Sequence, residues 1–131
     1  MSISERDTLA SDFDRWITAE FTKSGAFTAF AVLVEIADRR VAPLCSTYFN
    51  VIGDDVDWSE ITVLFAGSGQ QWDGAAFFPQ RSTGGGPLDN PNARLRLRKL
   101  EERLDEDRLV LNEGHFFDKL GRRIKVEEVE Q

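Results

Sequence analysis

The stretch Ala26-Phe-Thr-Ala-Phe-Ala-Val-Leu-Val-Glu-Ile36 decides the fold of this chain. It is rich in aromatic and β-branched residues, which favour a β-strand. Its nearly continuous apolarity predicts a central strand that other elements cover on both faces. A buried helix is the alternative, because periodicity does not separate the two in a short apolar run.

The segments on either side of this strand supply the next elements. An amphipathic helix is predicted over residues 5–23, with Ser4 as its cap, because apolar residues recur there at helical spacing: Leu9, Phe13, Trp16 and Ile17. A second strand is predicted from Val41 to Ile52. Asp57 and Glu60 resemble a capping box and predict a short helix over residues 58–66, with a strand as the alternative.

The second half of the chain is predicted to contain further strands and one long helix. A strand is predicted over residues 72–78, which Pro79 closes. A helix from about Pro91 to Arg108 is the clearest element, because its apolar residues form one stripe: Ala93, Leu97, Leu100 and Leu104. The remaining apolar segments predict strands that end in a hairpin turning at residues 118–121: Leu109–Asn112, Gly114–Phe117 and Arg122–Val129.

Together these elements predict an α+β fold. Its mixed or antiparallel sheet has about five strands, with three helices largely on one face. The order is helix-strand-strand-helix-strand-helix-strand-strand. The 131 residues suit a single globular domain. Six of the ten glycines lie between Gly67 and Gly86, which predicts a flexible glycine-rich loop around residues 79–90.

The charge and the absence of targeting motifs limit the function classes. The chain has 23 acidic and 16 basic residues and a formal charge of −7, which argues against nucleic acid as a partner. An acidic surface favours a basic protein partner, and a homodimer is also compatible with the sequence. The apolar run Ala26–Ala37 is too short to span a membrane. A single cysteine, Cys45, and an N-terminus without a signal-peptide pattern predict a cytoplasmic protein.

No motif identifies a cofactor or a metal. Gly67-Ser68-Gly69 lacks the third glycine of a dinucleotide site, so no cofactor is predicted. The acidic residues Asp54, Asp55, Asp57 and Glu60 are interpreted as a solvated turn and a helix cap, not as a metal site. Cys45 lies inside a predicted strand and is interpreted as an inert thiol.

The candidate catalytic residues are few, and the sequence favours a protein without catalytic activity while leaving the question open. His115 is the only histidine, and Glu113 would share a face with it in an extended segment. Glu20 falls on the apolar face of the first helix, where a carboxylate can gain a raised pKa. A small-molecule-binding protein or enzyme would place His115 and a carboxylate in a pocket under the loop at residues 67–86.

The leading hypothesis is a non-catalytic protein-binding or regulatory module, such as an immunity-type inhibitor or a small accessory subunit. Its predicted binding surface combines the acidic charge with the glycine and aromatic residues of the central segment. The residues expected to contact the partner are Trp72, Asp73, Phe78 and Arg81.

Overall fold

The computed structural model of this protein describes residues 10–38, 40–53 and 56–124. Its elements, in chain order, are α1 (Asp12–Ser24), β1 (Phe27–Ala37), β2 (Arg40–Val51), α2 (Trp58–Ala66), β3 (Gly74–Gln80), α3 (Asn90–Glu106), a 3₁₀ helix (Arg108–Glu113) and β4 (His115–Asp118). The four strands form one antiparallel sheet in the order β2-β1-β3-β4. The α+β fold is therefore confirmed, with four strands where the sequence predicted about five.

β1 is an interior strand of the sheet, as its apolar sequence predicts. It pairs with β2 from Phe27↔Val51 to Ala37↔Arg40. On its other side it pairs with β3 from Thr28↔Gln80 to Val34↔Gly74. Every residue of β1 from 27 to 34 is buried. Both faces of the strand are therefore covered, as its sequence predicts. α1 and α2 pack on one face and α3 on the other, so the prediction of helices largely on one face is wrong.

Two hydrophobic clusters lie on opposite sides of the sheet. We call the side under α1 and α2 the aromatic face; its buried residues are Phe13, Ile17, Phe27, Ala29, Ala31, Leu33, Val51, Trp58, Ile61, Phe65, Trp72, Ala75, Phe77 and Phe117. We call the other side the α3 face; its buried residues are Phe30, Val32, Val34, Val41, Ala76, Phe78, Leu88, Ala93, Leu100, Leu104, Val110, Leu111 and Phe116. Odd and even positions of β1 thus feed different cores.

Side-chain caps fix the starts of the helices. Ser11 and Asp14 form a capping box that begins α1, and residues 5–9 of the predicted helix, with its predicted cap Ser4, lie outside the described part of the chain. Asp57 caps α2, whose bounds match the prediction. Asp89 caps α3, and Pro91 lies in its first turn as predicted.

The C-terminal segments depart most from the sequence-based prediction. The predicted strand Leu109–Asn112 is wrong, because these residues belong to the 3₁₀ helix, which Asp107 caps at the backbone N–H of Leu109. β4 and its turn are confirmed, with Gly121 at φ +76°. Of the predicted strand Arg122–Val129, Arg123 forms an isolated bridge to Phe117, and residues 125–129 lie outside the described ranges.

The glycine-rich loop connects β3 to α3 over residues 81–89. It contains a tight turn in which the backbone N–H of Ser82 donates to the carbonyl of Gly86 (2.9 Å). Near its end Leu88 is buried, and its N–H donates to Oγ1 of the buried Thr28 (2.9 Å). This bond ties the loop to the central strand. In the described ranges, no helix is both long and apolar enough to cross a bilayer.

Candidate functional site

The two aromatic residues expected to contact a partner lie in the core. Trp72 is 8% exposed, and its ring packs against Phe65 (centroids 5.2 Å apart) and Trp58 (6.0 Å). Phe78 is 7% exposed on the α3 face, where its ring lies over Gly114. The exposed aromatic anchors that the sequence suggested are thus absent at these two positions, because β3 and the segment before it carry their rings inward.

The two polar residues of that predicted surface also have partners within the chain. The Asp73 carboxylate accepts a hydrogen bond from the backbone N–H of Ile36 (2.7 Å). Arg81 pairs with Glu20 (3.1 Å) and lies over the ring of Phe27, 4.8 Å from its centroid. Asp73 and Arg81 flank β3 at opposite ends, about 26 Å apart at the rise of an extended strand. The predicted residues do not form one surface.

A cluster at the β4 edge of the aromatic face does combine functional groups. We call it the His115 cluster; its residues are Trp16, Glu20, Arg81 and His115. The rings of Trp16 and His115 pack at a tilt, with their centroids 4.7 Å apart, and the Glu20 carboxylate accepts a hydrogen bond from Arg81. Trp16 and Glu20 come together because residues four apart share a helix face. His115 reaches the same face because side chains alternate along β4.

The environment of His115 favours a neutral imidazole. Burial lowers the pKa of His115, the positive charge of Arg123 lowers it further, and the negative charge of Glu20 opposes both. The side chain is half-buried, so solvent still reaches it. A neutral imidazole beside a carboxylate can accept a proton at neutral pH.

Glu113 does not take part in this cluster. Its carboxylate pairs with Arg103 (2.9 Å), and both side chains are exposed. The predicted alternation of Glu113 and His115 is wrong because Glu113 ends the 3₁₀ helix and β4 begins only at His115. Glu20, not Glu113, is therefore the carboxylate that acts on His115.

Cys45 and His115 are too far apart to form a nucleophile and its base. They lie on β2 and β4, the two edge strands, and three interstrand spacings separate them by about 14 Å. Burial raises the pKa of the Cys45 thiol, which a hydrogen bond with Ser68 only partly offsets. The thiol is thus protonated at neutral pH, in agreement with its interpretation as inert.

Two grooves on the described part of the chain stand out, and His115 lines neither of them. One, of about 500 Å³, lies at the β1–β2 turn and is lined by Glu35, Ala37, Asp38, Arg40, Ala42 and Arg108. The other, of about 370 Å³, lies between β2 and the end of α2 and is lined by Leu33, Cys45, Ser46, Thr47, Leu64, Phe65, Gly67 and Ser68. The expected pocket holding His115 under the 67–86 loop is not either of these.

The second groove belongs to a surface that the sequence reasoning missed. We call it the α2–β2 surface; its residues are Cys45, Ser46, Thr47, Leu64 and Ser68. Leu64 is 44% exposed. Val63 on the same helix is 74% exposed but does not line this groove. β2 is an edge strand whose outer side pairs with no strand among the described residues. The signal for this surface in the sequence is Leu64, an apolar residue next to the core residue Phe65 of α2.

The described residues contain no group of three or more His, Cys, Asp or Glu side chains placed to hold a metal ion. Asp57 caps α2 as predicted, while Asp54 and Asp55 lie outside the described ranges. Comparisons with protein-family models, with curated proteins and with solved structures found no significant match.

Proposed function

We propose that this chain is a non-catalytic protein-binding module and that its partner binds at the α2–β2 surface. The observation that carries the proposal is the exposed apolar side chain of Leu64, which lines a groove with Ser46 and Thr47 of the unpaired β2 edge. An unpaired edge offers backbone hydrogen bonds to an added strand, and the Leu64 side chain adds buried apolar area.

The charge of the chain supports a choice of partner. With a net charge of −7, the chain attracts a basic protein over distances comparable with the Debye length. A small acidic inhibitor or accessory subunit acting in the cytoplasm fits this description. Binding to such a partner weakens as salt rises, because salt screens the attraction.

The test compares two exposed leucines on opposite sides of the sheet. Leu64, on α2, is 44% exposed, and Leu95, on α3, is 50% exposed. Leu64→Lys is expected to abolish capture of a basic protein by the immobilised chain, because it places a charge of the same sign as the partner's in the binding surface. Leu95→Lys is the matched control and is expected to retain capture, with mass spectrometry showing the same bound protein.

Equal capture by both variants would overturn the proposed binding surface. Loss of capture in both would point to the overall acidic charge, not to this surface. Circular dichroism of each variant separates loss of binding from loss of folding.

A second candidate function is small-molecule binding or acid–base catalysis at the His115 cluster. The observation that favours it is a neutral imidazole near Glu20, together with an Arg81 Nε that is buried without a hydrogen-bond partner among the described residues. Such a group is a donor that an oxygen atom of a ligand can satisfy.

Nuclear magnetic resonance tests this second candidate. Small carboxylates and inorganic phosphate are titrated while the His115 ring resonances are followed. Glu20→Gln is expected to change the response, because it removes the charge beside His115, whereas Glu113→Gln is the matched control with no contact to the cluster. Unchanged His115 resonances with every ligand would rule out this site for ligands of those two classes.

A further inference from the structure

We infer that the partner of the α2–β2 surface presents an extended segment in which basic and apolar side chains alternate, and that this segment adds to the outer edge of β2. This inference rests on the proposed function, since it names the chemistry that the same surface recognises. Side chains of an added strand alternate between the two faces of the sheet. The pattern of the segment is therefore set by what lies on each side of β2.

The second half of β2 is the part of this edge that suits an added strand. Pro43 lacks a backbone N–H, and the register of β2 on β1 shifts between Pro43 and Cys45, which leaves a bulge at Leu44. The five residues from Cys45 to Phe49 follow this irregularity and pair with β1 in unbroken register. Their outer side pairs with no strand among the described residues. We therefore expect a partner segment of about five residues.

The side of this edge that faces α2 favours apolar side chains. Cys45 and Thr47 pair with Leu33 and Ala31 of the aromatic face, so residues added opposite them point towards the same face. There they meet the groove of about 370 Å³ that the half-exposed Leu64 lines. None of the described residues that line this groove is charged. A basic side chain in the groove would thus lose hydration without gaining a partner.

The side that faces α3 favours a basic side chain. Ser46 pairs with Val32 of the α3 face, and its hydroxyl donates a hydrogen bond to the Glu101 carboxylate. Glu101 is exposed and forms no ion pair with any residue in the described ranges. A residue added opposite Ser46 has its Cβ about 5 Å from the Ser46 Cβ. A lysine or arginine at that position therefore reaches the carboxylate.

The next position on the α3 side also suits a cation. Tyr48 lies two residues after Ser46, pairs with Phe30 of the α3 face and is half-buried. A basic group opposite Tyr48 can lie over its ring, which attracts cations. Basic residues are thus expected opposite Ser46 and Tyr48, and apolar residues opposite the three positions beside and between them. The net charge of −7 attracts such a segment from longer distances.

The test uses two fluorescently labelled peptides of the same composition, each titrated with the protein and followed by fluorescence anisotropy. In one peptide valine and lysine alternate (Val-Lys-Val-Lys-Val). In the other the lysines are adjacent (Val-Lys-Lys-Val-Val) and therefore point to opposite faces of an added strand. The alternating peptide is expected to bind at least about tenfold more tightly, because its isomer places a lysine in the uncharged groove.

Two variants of α3 test the basic positions. Glu101→Gln is expected to weaken binding of the alternating peptide about two- to fivefold, the effect of one exposed ion pair. Its amide oxygen still accepts the hydrogen bond of Ser46, so the edge itself is kept. Glu102→Gln is the matched control, because it removes the same charge from the neighbouring exposed position of the helix. This control is expected to bind the peptide as wild type.

Equal affinity for the two peptides, or no binding of either, would overturn the inference. Equal affinity of Glu101→Gln and Glu102→Gln for the alternating peptide would also overturn it, because Glu101 would then have no specific role. If neither peptide bound while Leu64→Lys still abolished capture of a basic protein, the proposed function would stand with a partner that adds no strand.

Discussion

The two faces of the sheet differ in which layers supply aromatic rings. On the aromatic face both layers do, since the strands contribute Phe77 and Phe117 and the helices contribute Phe13 and Trp58. On the α3 face the buried rings come from the strands, and α3 contributes the aliphatic residues Ala93, Leu100 and Leu104. Ring–ring contacts thus join sheet and helices on the aromatic face, whereas aliphatic side chains pack on strand rings on the α3 face.

The difference also locates the candidate sites. Phe13 lies at the centre of the ring network, with ring centroids 4.9–5.8 Å from those of Trp16, Trp58, Phe77 and Phe117. Trp16 connects this network to the His115 cluster at the β4 edge through its ring contact with His115. Phe65, whose ring contacts Phe77, lines the groove between β2 and the end of α2 at the other edge. Both candidate sites therefore border the aromatic face.

The largest expected effect comes from removing the central ring of that network. Phe13→Ala deletes a fully buried ring with four aromatic neighbours, so we expect a loss of about 3–5 kcal/mol in the free energy of unfolding. Leu104→Ala, on the α3 face, is expected to cost less, about 2–3 kcal/mol. Urea denaturation measures both variants.

If Leu104→Ala lowers the free energy of unfolding as much as Phe13→Ala or more, the aromatic face does not contribute more to stability than the α3 face. Phe13→Leu keeps most of the apolar volume, so it provides a measurable variant if Phe13→Ala does not fold. It is expected to lose less stability than Phe13→Ala.

The next effect tests how tightly α1 and α2 close on the end of the aromatic face. Gly121 has φ +76°, and an added Cβ would lie 2.8 Å from Ser11 Oγ and 2.9 Å from Trp58 Cγ. Gly121→Ala is therefore expected to cost about 2–3 kcal/mol from backbone strain and crowding together. Gly69→Ala is a matched control with the same φ and open space around it, expected to cost about 1 kcal/mol.

A difference near zero between Gly121→Ala and Gly69→Ala in thermal unfolding would mean that Ser11 and Trp58 move aside. The aromatic face would then be less tightly packed at this end than its ring contacts indicate.

The elements predicted correctly are those whose signals are local. The cap at Asp57 and the uniform apolarity of β1 act within a few residues, and the sequence displays both. Leu109-Val110-Leu111 has the composition of a strand, but the Asp107 cap and burial of Val110 and Leu111 on the α3 face make it helical. That outcome depends on packing against α3, which is not visible in the segment itself.

The candidate sites divide in the same way. Helical spacing placed Glu20 on the same face as Trp16, and His115 stood out as the only histidine. Sequence spacing also offered Glu113 as its carboxylate, and only the tertiary structure decides between the two glutamates. The open edge of β2 follows from strand order, which one sequence does not display.

A smaller effect is expected from the turn that follows β4. Burial raises the pKa of Asp118, but hydrogen bonds from the N–H and Nε of Arg122 and from the N–H of Leu120 together hold it below its ordinary value. Asp118→Ala removes these bonds, so we expect a loss of about 1–2 kcal/mol at neutral pH. Asp118→Asn retains one acceptor oxygen and is expected to lose less.

The sign of the pH dependence follows from that lowered pKa. The folded chain holds its proton on Asp118 less tightly than the unfolded chain does, so the stabilisation is complete above about pH 5 and is lost as pH falls through 4 and below. The gap between wild type and Asp118→Ala should therefore narrow at pH 3 in thermal unfolding. A stability difference between wild type and Asp118→Ala that stays the same at pH 3 would mean that the variant is destabilised by lost packing and not by loss of the charged carboxylate.

The smallest effect is expected at the edge of the aromatic face, from His115. Burial against Trp16 and the charge of Arg123 lower the pKa of His115, so the unfolded chain binds its proton more tightly than the folded chain. The stabilising contribution of the neutral ring is present above about pH 6.5 and is lost as pH falls below that value. Wild type should thus lose more stability than His115→Gln between pH 7 and pH 5, as measured by urea denaturation at each pH.

The Glu20→Gln variant sharpens this last expectation, because Glu20 is the one group that raises the pKa of His115. Without that carboxylate, the His115 pKa should fall further, and the stability of the chain should depend more steeply on pH below 6.5. A Glu20→Gln variant whose His115 resonances titrate as in wild type would show that the two groups do not interact. In that case His115 packs against Trp16 without any electrostatic coupling to Glu20, and the acid–base function suggested for the His115 cluster is excluded.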